Sequence, residues 1–218
     1  MPRIKVWDLP LRIFHWALAF CVIATYVAQS IGGNAMIWHS RFGLAIIGLV
    51  TFRLAWGFVG STHARFRHFV RGPAAVAAYL RGQWSGLGHN PLGALSVVAL
   101  LAVLLLLALT GLFANDDIAF EGPLYALVDK DLSDWITKIH HWFEPVILIL
   151  VGFHVAAIAF YTWVKKQPLV RPMITGWKEG AEGELATGGG LGRFLLSLAL
   201  AIMAVVAASG AWLAIGIN

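Results

Sequence analysis

The sequence predicts an all-α integral membrane protein: a four-helix transmembrane bundle followed by a fifth, C-terminal transmembrane helix. Three observations predict it. The chain of 218 residues is 59% hydrophobic and only 12% charged, about half the charged share of a soluble domain. Five runs of about 20 apolar residues recur along it, each long enough to cross a hydrocarbon core of about 30 Å. Five histidines lie inside those runs, four of them at informative depths, where an ionisable side chain is costly and marks function.

The first run covers about 13–31 and begins "IFHWALAFCVIATYVAQSI". Arg3, Lys5 and Arg12 before it and "YVA" at 26–28 resemble a signal peptide. The run exceeds a signal peptide's usual 7–15 apolar residues, however, and His15 lies near its start, so a retained helix is expected. The second run is about 37–60, "IWHSRFGLAIIGLVTFRLAWGFVG", and the third, 92–113, is the purest, "LGALSVVALLAVLLLLALTGLF". Between them, "FVRGPAAVAAYLRGQW" reads equally as a surface amphipathic helix or a solvated connector. The fourth run, 139–164, contains "IHHWFEPVILILVGFHVAAIAFY". The fifth, about 194–217, has no histidine or charged residue. Its "AVVAASGAW" offers small side chains for close helix contact, so partner packing or lipid anchoring is expected of it, and a homo-oligomer is among the assemblies open to the chain. Before it, "GWKEGAEGELATGGGLGR" reads as a flexible linker. The expected division is residues 1–166 as a four-helix unit, 167–192 as a hydrophilic linker and 193–218 as the additional helix.

Lys and Arg alternate in place along the chain. Arg3, Lys5 and Arg12 precede the first run; Arg65, Arg67, Arg71 and Arg81 follow the second; Lys165, Lys166, Arg171, Lys178 and Arg193 follow the fourth. The positive-inside rule puts these three regions in the cytoplasm. The N-terminus is then cytoplasmic and Asn218 periplasmic. The 114–138 loop, with Asp116, Asp117, Glu121, Asp129, Asp131 and Asp134, faces outward. The sequence pI of 9.7 thus reflects topology, and nucleic acid is excluded as a partner. Cys21 is the single cysteine, so no internal disulfide can form, and without a CxxCH motif no c-type haem is attached.

His140 and His154 are 14 residues apart, nearly four helical turns, so they share one stripe about 21 Å long. That separation suits two stacked sites. By depth, His39 pairs with His140 and His15 with His154, each pair joining the fourth helix to another. Neutral imidazole is a good axial iron ligand, and facing helices are where bundles hold cofactors. Two bis-histidine haems would leave no open iron position and would make a transmembrane electron path. His15 lies about three residues into its run and His154 about ten from the end of its own, a depth mismatch of roughly 10 Å. Adjacent His141 competes with His140 but points about 140° away from His154. His63, His68 and His89 fall in a loop, as solvated or capping residues. Gly43 and Gly152 offer a flat porphyrin close approach to the backbone, or simply let helices pack. Arg12, Arg41 and Arg53, near helix ends, suit haem propionates or interfacial snorkelling. Trp7, Trp16, Trp38, Trp56, Trp142 and Trp163 read as an interfacial aromatic belt.

With "VWDLPLRIFHW", "WHSRFGL", "FRLAWGFVGS", "GHNPLG" and "LVRPMITG" at their positions, the chain resembles the bacterial cytochrome b561 family over about residues 3–177. That family includes the b-type cytochrome subunit of nickel–iron hydrogenases. The resemblance implies a four-helix bundle with two non-covalent b haems, ligated by His15, His39, His140 and His154. It implies electron transfer in the bacterial inner membrane between quinone, ubiquinone or menaquinone, and a periplasmic redox protein such as a c-type cytochrome or a hydrogenase. The acidic 114–134 loop could steer a basic partner. Two other readings stand beside it: a self-contained oxidoreductase passing electrons from superoxide or another small donor to quinone, and a haem-free membrane anchor or metal transporter. No catalytic side chain is expected.

Overall fold

The computed structural model describes residues 3–84, 88–179 and 186–213. In chain order the elements are β1 (Arg3–Lys5), α1 (Leu9–Ile31), α2 (Met36–Val59), α3 (Phe66–Phe69), α4 (Pro73–Leu80), α5 (Pro91–Gly111), α6 (Lys130–Trp163), α7 (Val170–Thr175), β2 (Trp177–Glu179) and α8 (Leu191–Ala208). Five of the helices, α1, α2, α5, α6 and α8, are long and apolar enough to cross a membrane.

Polar caps set where three of them begin. Asp8 Oδ1 accepts the Leu11 N–H at 2.7 Å, Asn90 Oδ1 that of Gly93 at 2.7 Å, and Asp129 Oδ1 that of Leu132 at 2.8 Å. Each carboxylate or amide thereby satisfies a first-turn donor that has no intrahelical partner. Capping explains why α1 starts four residues before the expected 13, and α6 nine before the expected 139. At 34 residues α6 is about 51 Å long, well beyond the roughly 30 Å core. Pro145 lies within it and removes the intrahelical donor for the His141 carbonyl. Exposed apolar side chains such as Trp142, 79% accessible, suit a lipid environment.

The described residues form two compact units, one from residues 1–14, 53–100 and 149–196, the other from 15–52, 101–148 and 197–218. In the first, β1 and β2 pair antiparallel, with Arg3 opposite Glu179, Ile4 opposite Lys178 and Lys5 opposite Trp177. Within the expected linker, α7 and β2 take up 170–175 and 177–179; its residues 180–185 lie outside the described set. Gly176 turns from α7 into β2 at φ +88°, and an ideal Cβ there would lie 2.8 Å from the Trp7 carbonyl oxygen, so glycine is required. Asp8 ties this unit together. Its Oδ2 accepts hydrogen bonds from Trp56 Nε1 at 2.9 Å and from the Ser61 hydroxyl. Trp7 and Trp56 are buried, a correction to the aromatic-belt reading: the indole of Trp56 finds its acceptor inside the fold. Trp16, Trp38, Trp142 and Trp163 are exposed as the belt requires. The 66–80 segment forms two short helices, and Leu80 is exposed.

In the second unit Ile47, Leu112, Leu124 and Ala208 form a core, joined by Leu44, Ala108, Phe113, Ala204, Trp212 and Leu213. The additional helix α8 thus packs on its own chain. Gly48 makes the contact possible, because a Cβ there would come 2.7 Å from Val205 Cγ2. Beyond α5, Gly122 N–H bonds Ala114 O at 2.8 Å, and Asp116 Oδ1 gathers the N–H groups of Ile118, Ala119 and Phe120 at 2.9, 2.9 and 2.8 Å. The buried Ser133 of α6 donates to Phe113 O at 2.6 Å and accepts from Asn115 Nδ2 at 2.7 Å. Asn218 lies outside the described residues.

Candidate haem ligands and their surroundings

His39 on α2 and His140 on α6 meet in the second unit, with ring centroids 6.1 Å apart and planes at 75°. Neighbouring backbone orients both rings. His39 Nδ1 lies 3.1 Å from Thr25 O on α1, and His140 Nδ1 lies 2.9 Å from Leu107 O on α5. A carbonyl only accepts, so each Nδ1 carries the proton and each Nε2 keeps its lone pair for a metal. Thr110 Oγ1 adds a third contact, 3.1 Å from His140 Nδ1, while donating to Leu106 O at 2.7 Å. Gly111 packs edge-on to the same ring; a Cβ there would stand 3.0 Å from His140 Cε1. Such backbone partners hold a metal-ligating histidine in one tautomer and one orientation.

The spacing fits a haem. Two metal–imidazole bonds of about 2 Å, with ~1.1 Å from each nitrogen to its ring centre, separate coaxial ligand centroids by about 6.2 Å. One turn beyond His39, a Cβ on Gly43 would meet no atom within 4 Å, an open cradle beside the helix backbone. Among the described residues no three or more His, Cys, Asp or Glu side chains converge on a metal-sized point. Two imidazoles alone suit a porphyrin, which brings its own four nitrogens. His141 is exposed beside this pair. Its ring centroid is 6.2 Å from that of His140.

His15 belongs to the second unit and His154 to the first, and each is half-buried. His15 stands edge-on to Trp16 at 5.1 Å. Because α1 starts at Leu9, His15 is six residues into its helix, and His154 is nine from the end of α6. Gly152, two residues before His154, also has open space where a side chain would begin.

The three arginines differ sharply. Arg53, on α2, is 2% exposed, and its Nη1 and Nη2 have no hydrogen-bond partner among the described residues. Its guanidinium lies 4.8 Å from the Phe66 ring centre and 5.7 Å from that of Phe69. A buried cation with two unused donors fits an acidic ligand group such as a haem propionate. Arg12 donates to Ile174 O and packs on Gly176, so it helps hold α7. Arg41 is exposed, 4.9 Å over Trp38, as a snorkelling residue would be. His89 is packed between Trp7 at 4.7 Å and Phe69 at 4.8 Å, where a solvated loop residue was expected.

Sequence reasoning missed Thr25, Leu107, Thr110 and Gly111 around the candidate ligands His39 and His140, and Phe66 and Phe69 around Arg53. A backbone carbonyl belongs to every residue and leaves no mark in a sequence. It also missed Glu144, one turn beyond His140 on α6. Gln29 Nε2 lies 3.4 Å from Glu144 Oε2, and that carboxylate inside an apolar run was the available signal.

Residues 6–176 match the family model described as "Prokaryotic cytochrome b561". Three curated proteins, each named "Probable Ni/Fe-hydrogenase B-type cytochrome subunit", are 24% identical to the chain. Those of Azotobacter chroococcum mcd 1 and Azotobacter vinelandii align over 218 residues, covering 80% of this chain and 88% of theirs. That of Rhizobium leguminosarum bv. viciae aligns over 210 residues, covering 79% and 87%. No solved structure matches. Five membrane-length helices, a histidine pair spaced for iron and a family match across most of its length place the chain in the prokaryotic cytochrome b561 family, transmembrane helical bundles that carry electrons on haem b.

Proposed function

We propose that the protein is a di-haem b-type cytochrome of the bacterial inner membrane that passes electrons between the quinone pool and a redox partner on the periplasmic side. The observation that carries this reading is the His39–His140 pair, 6.1 Å apart with both Nδ1 groups engaged by helix carbonyls. His39 and His140 hold one haem and His15 and His154 the other; Arg53 neutralises a propionate. Each haem supplies a one-electron Fe(III)/Fe(II) couple. The residues do the rest. Thr25 and Leu107 carbonyls keep each imidazole from rotating, so the two oxidation states share one geometry and reorganisation stays small. With a histidine nitrogen from each of two helices, His39 and His140 would hold the haem without leaving a place for a small ligand, and the chemistry it would supply is electron transfer.

The Lys and Arg distribution supports a cytoplasmic N-terminus and a periplasmic C-terminus. The 114–134 loop then faces the periplasm, where Asp116, Asp117, Glu121 and Asp131 are exposed and favour a basic docking surface. The names of the curated relatives support a hydrogenase or a protein in its place as the partner.

The test is a dithionite-reduced minus oxidised visible spectrum of detergent-purified protein, with a pyridine haemochrome count. Two low-spin b haems per chain are expected, falling to one in His39→Ala and in His140→Ala. One haem in the wild type, unchanged by His15→Ala or His154→Ala, would remove the second site. A colourless protein from haem-supplemented cells would remove the reading altogether.

A further inference from the structure

A cavity of about 310 Å³ opens beside the β1–β2 pair in the first unit. Four cations line it, Arg3, Lys166, Arg171 and Lys178, against one carboxylate, Glu179. That carboxylate is already engaged, since Arg171 Nη2 lies 3.1 Å from Glu179 Oε1. Among the described residues Arg3, Lys166 and Lys178 have no carboxylate within salt-bridge distance. Three positive residues therefore line one concave space whose single carboxylate among the described residues, Glu179, is already engaged. Secondary structure fixes two of them: β1–β2 pairing sets Arg3 opposite Glu179 and Lys178 opposite Ile4. The third follows the apolar helix α6, which ends at Trp163, three residues before Lys166.

The place of the cavity along the chain narrows the ligand. It lies where a membrane-length helix leaves its apolar stretch, and the exposed rings of Trp163 and Trp177 mark the depth of lipid headgroups. An anion at that depth carries phosphate, and basic pockets at the ends of membrane helices suit such headgroups. We propose that this cavity is a phosphate-anion site, taking the phosphodiester headgroup of an acidic phospholipid or free phosphate. The assignment rests on the cavity alone and is independent of the haem reading.

The experiment uses full-length protein in maltoside detergent. Native mass spectrometry measures binding of dioleoylphosphatidylglycerol against dioleoylphosphatidylcholine, and thermal shift compares inorganic phosphate with chloride at equal ionic strength. The cavity variant is Arg3→Gln/Lys166→Gln/Lys178→Gln. The matched control, Arg67→Gln/Arg71→Gln/Arg81→Gln, removes the same charge from exposed positions elsewhere in that unit. Each basic side chain contributes about fivefold toward an anionic lipid, so the cavity variant is expected to bind phosphatidylglycerol about a hundredfold more weakly, and the control within about threefold of wild type. One saturable phosphatidylglycerol per chain, with phosphate inert, identifies the headgroup. A phosphate-dependent shift lost in the cavity variant, with lipid adding nothing, identifies free phosphate. Equal losses in both triple variants, or none, overturn the site. Circular dichroism checks folding, and the charge-keeping Arg3→Lys/Lys166→Arg/Lys178→Arg is expected to bind within about threefold of wild type; its failure would also overturn the electrostatic basis.

Discussion

Replacing Arg53 by Met separates two roles that a buried arginine can have. The residue is 2% exposed, its guanidinium stacked on Phe66 and Phe69, with no hydrogen-bond partner for Nη1 and Nη2 among the described residues. Were it only a packing element, Met would fill a similar volume without the desolvation cost of a buried charge, and the protein would melt at the same temperature or higher. If it holds a haem propionate, Met deletes charge-assisted hydrogen bonds worth about 1.5–3 kcal/mol. At 1.4 kcal/mol per tenfold, that weakens one haem site by about 10- to 150-fold. The assay is transfer of haem from purified holoprotein to excess apomyoglobin, followed by visible absorbance, with the melting temperature read from tryptophan fluorescence. One haem is expected to leave about 10- to 150-fold faster in Arg53→Met if affinity is lost through dissociation, and the other at the wild-type rate, with Arg53→Lys in between. An Arg53→Met protein that keeps both haems at wild-type rates and melts higher would refute the propionate assignment.

Three further outcomes follow from named contacts. His141→Ala is expected to keep both haems by pyridine haemochrome, whereas His140→Ala keeps one; the reverse pattern would move the ligand by one position. Gly48→Leu drives a side chain into Val205, whose Cγ2 would be 2.7 Å from the new Cβ. Overpacking of this kind costs about 1–3 kcal/mol, so the detergent-solubilised protein should melt lower, and an unchanged melt would mean that α8 does not rest on α2. Finally, the N–H groups of Phe120, Ile118 and Ala119 hold the Asp116 carboxyl below its ordinary 3.8. A depressed carboxyl contributes stability above its unfolded value and loses it as pH falls through the folded one. Amide exchange at 118–120, corrected for its intrinsic pH dependence, is therefore expected to lose protection below about pH 3.8, and Asp116→Asn to flatten that dependence; identical profiles would remove the cap's role.

Much of this protein was legible in its sequence because the responsible forces are additive and local. Hydropathy summed over about 20 residues locates the five membrane-length helices whatever they pack against. Helical phase alone separates His140 from His141, since 14 residues return nearly to the same face and 13 do not. Buried Arg53 and the open sides of Gly43 and Gly152 were likewise among the residues that chemistry singled out. Other features exist only where distant segments meet. Nothing in the sequence says that Thr25 and Leu107 offer the carbonyls that orient the histidines, because every residue has one and only packing selects the partner. Trp56 looks interfacial until Asp8, 48 residues earlier, accepts its indole N–H. Residues 177–179 look like linker until strand 3–5 supplies the hydrogen bonds that a short strand cannot make alone. The fifth apolar helix is plain from hydropathy, but its place against α2 depends on the missing side chain of Gly48 meeting Val205. Composition determines that segments enter the membrane; complementarity of shape and hydrogen bonding, which is non-local, decides which of them touch.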